Sequence, residues 1–303
     1  METSGAALMV EGRESFPDWD RNPRPPAPLP PKGSCDCQIH IYGDVEKYPP
    51  KLKINFDPPN ATFEDSQRVH KVLGFDRAVI VHASIYDTDY RLLIDTLEGL
   101  EDRSNYRAAI VLKNDVPDSM LAKLDGLGVR GIRFHIASRY QSDSKDDVRR
   151  ILARVRELGW HVRLHLDPPD FLEYQDVFDE MKGITYIIDH MGRLDFSQGL
   201  EQPTFVYLMD RLKNENWWMM VSNGNRVSAM DKGWDDAVPY GRAYLEAAPD
   251  RCIWCSDWPH VRWRKARMMN EAEPVELFYR YADNDPELIR KVLVDNPARL
   301  LGF

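Results

Sequence analysis

The chain has 303 residues, 43% of them apolar, and a formal net charge of −9. That is enough apolar material for a sizeable core, and the excess of acid argues against general binding to nucleic acid or to anionic membrane surfaces. No run of about 18 apolar residues is present, so no membrane span is expected; the start M-E-T-S-G-A-A-L-M-V-E-G-R lacks the basic opening and apolar stretch of a secretion signal, which places the protein in the cytoplasm.

Residues 1–33 stand apart. The stretch R-N-P-R-P-P-A-P-L-P-P-K-G is too rich in proline for a helix or a central strand. It reads as an extended arm that lies on the surface or reaches a neighbouring subunit, so a homodimer is one assembly it could serve. From Ser34 onward, eight strand-like runs follow in order: C-D-C-Q-I-H-I-Y, R-A-V-I-V-H, R-A-A-I-V-L, V-R-G-I-R-F-H-I, H-V-R-L-H-L, T-Y-I-I-D-H, W-W-M-M-V-S-N and C-I-W-C-S-D. Amphipathic segments separate them at 62–74, 88–101, 117–126, 144–158, 170–182, 203–215 and 235–248. Several carry apolar residues at i, i+3 and i+4, and the fourth ends at Gly159, a helix-stop residue. Strand and helix alternating at this spacing predict a parallel sheet with helical crossovers. Eight units predict closure into a single-domain (β/α)8 barrel over residues 34–303, with D-P-E-L-I-R-K-V-L-V-D-N-P-A-R-L-L-G-F as the last helix and tail.

The four cysteines come as Cys35/Cys37 and Cys252/Cys255, each pair inside an apparent strand. That placement favours buried thiols over a zinc site, and a cytosolic setting disfavours disulfides.

In a parallel barrel the carboxyl ends of the strands converge on one mouth, where the chemistry is done. His40, Arg133, His165, His190, Arg226 and Asp257 all fall near such ends. Gln38 and His40 are two apart and project from one side of the first strand. Glutamine is a poor zinc ligand, so Q-x-H favours a hydrogen-bonding centre over a strong metal site. His190, in I-I-D-H-M-G-R, can donate to a substrate carbonyl, while its neighbour Asp189 is expected on the opposite side of the strand. Asp257, in C-S-D-W-P-H, can act as general base on water. An arginine within a β-run is costly unless it meets an acid or an anionic ligand. Arg133, with Arg139 in the next loop and Arg226 after the seventh strand, therefore suggests a substrate with carboxylates, which guanidinium forks grip in pairs. Which of His161, Arg163 and His165 reaches the substrate is left open by the spacing.

Together, D-x-Q-x-H, G-I-R-F, D-H-M-G-R, S-D-W-P-H and the terminal N-P-A-R-L-L-G-F resemble the amidohydrolase superfamily (the amidohydrolase-related family 2), from about Cys35 to Phe303. The likeness is greatest to the branch containing 2-pyrone-4,6-dicarboxylate lactonase and related sugar-acid and muconolactone hydrolases. The resemblance implies a distorted barrel and a lactonase that works without a tightly bound metal or other cofactor, although a weakly held divalent ion such as zinc stays open. It implies that Asp257 activates water, that His40 and His190 polarise the lactone carbonyl, and that Arg133, Arg139, Arg193 and Arg226 grip carboxylates. Gln38 stands where the family has a second histidine. The expected partner is a small carboxylate-bearing lactone, in catabolism of aromatic or sugar acids. A lactone isomerase using the same pocket, and a metal-dependent amidohydrolase or decarboxylase, are the alternatives.

Overall fold

The computed structural model describes residues 9–136 and 144–303. A first short strand, β1 (Met9–Glu14), pairs in parallel with β3 (Ile54–Phe56) outside the main sheet. The main sheet holds eight parallel strands: β2 (Cys35–Ile39), β4 (Arg77–Val81), β5 (Tyr106–Ile110), β6 (Val129–Ile136), β7 (His161–Leu166), β8 (Tyr186–Ile188), β9 (Trp217–Met220) and β10 (Cys252–Ile253), each beside its successor. Seven fall within the runs expected from the sequence, and β5 begins one residue before its run, at Tyr106. Backbone hydrogen bonds join the two ends of this sheet: Cys37 N to Trp254 O (3.0 Å), Asp257 N to Gln38 O (3.1 Å) and His40 N to Trp258 O (2.8 Å). The sheet is thus closed into a (β/α)8 barrel.

Most crossovers are helical, and several carry their own start and stop signals. The helix Phe63–Leu73 begins with a reciprocal Thr62/Asp65 cap and stops at Gly74, whose φ of +87° suits a residue without Cβ. The helix Lys145–Leu158 repeats the pattern with Ser144/Asp147 and Gly159. Its buried residues Val148, Ile151, Leu152 and Val155 form one apolar face at helical spacing. Between sheet and helices runs one large apolar cluster, while a smaller one fills the barrel interior with Cys35, Cys37, Val79, Val81, Ala109, Ile187 and Met220. All four cysteines are buried free thiols. Among the described residues no helix is long and apolar enough to cross a membrane.

Two departures from simple alternation shape the mouth. The register of β2 against β4 shifts between Asp36 and Ile39, a β-bulge. The extra residue lets Cys37 fill the interior while the adjacent Gln38 also turns inward. The arm ahead of the barrel is docked. Trp19 is buried edge-on against Trp258 (ring centroids 5.0 Å apart), its indole N–H donates to Asn60 O, and Arg24 holds Glu276 with both terminal nitrogens. Phe16 meets Phe56 of β3, so the arm braces the segment 52–56 beside the mouth.

Replacing Trp19 by alanine should therefore cost about 3 kcal/mol, the usual toll of truncating a large buried aromatic. Chemical denaturation checks it: the midpoint should fall at an unchanged slope, and a wild-type midpoint would mean the arm contributes nothing to the fold.

Candidate active site

The carboxyl ends of the strands surround a cavity of about 500 Å³. Its polar floor includes His40, Arg133, His165, His190, Asn223 and Asp257. One wall is apolar, with Leu52, Ile54, Phe56, Ile85, Val261 and Trp263, and Arg193 and Arg226 stand at the sides.

Asp257 is the centre of the floor. It lies four residues beyond β10 at a φ of +62°, a left-handed bend that turns its carboxylate into the mouth. Gln38 Nε2 donates to Oδ1 at 2.9 Å, and Asn223 Nδ2 donates to Oδ2 at 2.7 Å. His40 Nε2 lies 3.3 Å from Oδ1, His190 Nε2 3.8 Å from Oδ1, and Arg226 Nη2 3.6 Å from Oδ2. Burial by itself would raise this carboxyl's pKa; the interactions with His190, His40 and Arg226 outweigh it and hold the group well below the usual carboxylate range.

The two histidines present the same nitrogen to the cavity. His40 Nδ1 is bonded to Val81 O at 2.8 Å, and His190 Nδ1 to Ser222 Oγ at 3.2 Å. Nε2 of each ring therefore faces inward. Arg133 spans them, with Nη1 3.4 Å from His40 Nε2 and Nη2 3.5 Å from His190 Nε2. Burial lowers the pKa of His190 to about 4 despite the nearby Asp257 and Asp189 carboxylates, so this ring is neutral at pH 7.

Arg133 is also the hub of a second set of contacts. Its Nε donates to Asp189 Oδ2 at 3.1 Å and its Nη2 to His165 Nδ1 at 2.9 Å. Arg193 closes the chain, with Nη1 2.9 Å from His165 Nε2 and Nη2 3.1 Å from Asp167 Oδ1. The sequence reading put Asp189 on the far side of its strand. Two residues after the interior-facing Ile187, the buried Asp189 carboxylate instead points inward and serves Arg133, and the chain then bends left-handed from His190 to Arg193, with φ values of +52°, +54°, +72° and +56°, which brings the His190 ring to the mouth too. Asn223, at a φ of +60°, was not singled out from the sequence. A polar S-N pair directly after an apolar strand was the available signal. Of the three residues left open on the fifth barrel strand, His165 reaches the mouth and Arg163 lies beneath it. Arg139 lies outside the described residues.

Among the described residues, His165, Asp189 and His190 form a group whose ligand atoms lie close enough together, within 4.8 Å, to hold a metal ion. These donors do not fit a dication, because Arg133 already bonds Asp189 and His165 and abuts His190 Nε2. A second positive centre would have to expel a guanidinium from its own counter-charge. Gln38, which replaces an imidazole on the first barrel strand, adds a neutral amide in place of a strong ligand.

The chain belongs to the amidohydrolase family, whose sequence pattern matches residues 35–303. It is 34% identical over 279 residues to a 4-sulfomuconolactone hydrolase of Rhizobium radiobacter, covering 90% of this chain and 91% of that protein. A 2-pyrone-4,6-dicarboxylate hydrolase of Comamonas testosteroni is 31% identical over 293 residues, covering 93% and 94%. Among solved structures, a proposed 2-pyrone-4,6-dicarboxylic acid hydrolase from Pseudomonas putida superposes with a TM-score of 0.76 at 28% identity, covering 89% of this chain and 97% of that one.

The pairing of Arg133 with Asp189 yields a stability test. Changing Asp189 to asparagine strands a buried guanidinium and should cost about 3 kcal/mol, read as a lower denaturation midpoint; unchanged stability would show that the pair is not the cation's main compensation.

Proposed function

We propose that this protein hydrolyses a lactone bearing carboxylate groups, without a metal ion. One observation carries the reading: an ionised, buried aspartate at the end of the last barrel strand faces a cavity that also receives Arg133, Arg193 and Arg226. The relatives named as lactone hydrolases support it.

In this reading a water molecule rests on Asp257, and the lactone carbonyl oxygen points into the arc formed by His40, Arg133 and His190. Asp257 takes a proton from the water as its oxygen bonds to the carbonyl carbon. The resulting oxyanion sits against the N–H groups of the Arg133 guanidinium, which the Nε2 atoms of His40 and His190 flank at 3.4 and 3.5 Å. Collapse of the tetrahedral centre breaks the ring C–O bond, and the proton held by Asp257 passes to the departing oxygen. The products are one hydroxyl and one carboxyl group on a single open chain, and the carboxyl releases its proton to solvent to become a carboxylate. Arg193 and Arg226 are spaced around the pocket sides to hold the substrate's own carboxylates, and Arg139 is assigned the same task from its place in the sequence. Leu52, Ile54, Phe56 and Trp263 cover the ring and limit access of bulk water.

Asp257→Asn keeps the shape and removes the base. It should lower kcat by about 100- to 10,000-fold while KM for a lactone found by screening carboxylated rings in a pH-indicator assay stays near the wild-type value. Near-normal turnover in that variant would remove the general-base assignment. Activity should also survive chelators, with metal analysis finding far less than one ion per chain; loss of turnover on chelation, restored by zinc, would revive the metal-dependent alternative.

The pH dependence follows from the same groups. Asp257 must be ionised and His190 neutral, and both conditions hold well above about pH 4. Hence kcat/KM should be level from about pH 6 to 8 and fall only as the pH drops toward about 4. A sigmoidal rise centred between pH 6 and 7 would mean that another group controls the reaction.

A further inference from the structure

The barrel interior holds a cation that the proposed reaction does not use. Arg163 projects from β7 into the floor and is fully buried. Its hydrogen bonds all go to neutral acceptors: Nη1 to Cys37 O at 2.7 Å and to Gln38 Oε1 at 3.3 Å, and Nε to His161 Nε2 at 3.2 Å. No carboxylate among the described residues forms an ion pair with it. The room beneath is built in, since a Cβ on Gly131 would lie 2.3 Å from the His161 ring that supports Arg163. An uncompensated buried guanidinium is expensive, so its place invites a reason.

The reason lies one residue above. Gln38 accepts from Arg163 at its oxygen and donates from its nitrogen to Asp257 Oδ1 (2.9 Å) and toward His190 Nε2 (3.2 Å). The amide is therefore bracketed by a cation at one end and an anion at the other. Each end selects the same orientation, because the flipped amide would set oxygen against carboxylate and N–H against guanidinium. A cation on its oxygen also polarises an amide and strengthens its N–H bonds as donors.

We propose that Arg163 is a positioning residue that acts through Gln38: it locks the amide with both N–H bonds toward Asp257 and His190, and it supplies, one hydrogen bond removed, the positive charge that glutamine lacks. Arg163, Gln38 and Asp257 then form an ion pair bridged by an amide, so the buried base is balanced from beneath and its upper face stays open to water. The proposal rests on the lactonase reading for its kinetic consequence, but not for its geometry.

Two readouts test it in the full-length protein. The first is a double-substitution cycle on lactone hydrolysis with Arg163→Met and Gln38→Met. Each single change should lower kcat about 10- to 100-fold, as loss of an outer partner of a site does, with KM little changed. The double variant should be no slower than the slower single one, because both break the same link. Arg163→Lys, which retains the charge, should recover part of the rate. Effects that multiply in the double variant, or a lysine no better than methionine, would overturn the proposal. The second readout needs no substrate. The side-chain amide protons of Gln38, identified by their loss in Gln38→Met, should appear in 15N-resolved spectra as two distinct, slowly exchanging signals in the wild type and in Arg163→Lys. They should exchange rapidly or merge in Arg163→Met; unchanged signals there would overturn the lock. If the wild type opens no lactone while these signals respond as described, the functional reading fails and the lock stands.

Discussion

The site depends on keeping one carboxylate ionised where water is scarce. Asp257 is only 8% exposed, and a buried carboxylate without partners protonates or destabilises the fold. Here the partners come from separate parts of the barrel: Gln38 and His40 from the first barrel strand and the residue after it, Asn223 and Arg226 from the segment after β9. The backbone seam that closes the barrel passes through the same place, with Asp257 N on Gln38 O. Barrel closure and site assembly are thus one event. An error of one residue in the pairing of first and last strands would separate the base from its donors.

Arg133 does for the carbonyl side what the seam does for the base. It fills the space among His165, Asp189 and His190 and carries a fixed charge compensated by Asp189. A guanidinium differs from a dication in what it offers a substrate. It polarises by directed hydrogen bonds, cannot be exchanged with the medium, and does not acidify a bound water as a metal does. On the proposed reading, the burden of activating water falls on Asp257. Its low basicity has a compensating benefit, since the group is ready in its active form across the neutral range.

Much of this arrangement could be read from the residues. The barrel strands are short apolar runs between helical segments, and a chain buried on both faces of a parallel sheet writes itself that way. His40, Arg133, His165, His190, Arg226 and Asp257 could be placed at the mouth because strand ends converge there. What the sequence did not disclose came from local backbone geometry. Asp189, two residues after the interior-facing Ile187, turns inward by plain alternation, and the left-handed turn that begins at His190 brings that ring to the mouth as well. The bulge between Asp36 and Ile39 lets neighbouring residues Cys37 and Gln38 both face the interior. Asn223 and Asp257 also sit at positive φ, where period-two reasoning fails. The strand Met9–Glu14 went unforeseen because M-V-E-G-R-E has no alternation and finds its partner, Ile54–Phe56, only in three dimensions. Arg163 looked equivalent to His161 and His165 in H-V-R-L-H-L; depth along the barrel axis, which strand periodicity does not encode, separates them.

In the proposed reaction Asp257 delivers a water oxygen to a lactone carbonyl. The most direct test is to run the opening of an accepted lactone in 18O-labelled water and weigh the product. One 18O atom in the newly formed carboxylate is the predicted result. An unlabelled product, a rearranged ring formed by an internal hydroxyl, would contradict it and make the same pocket an isomerase.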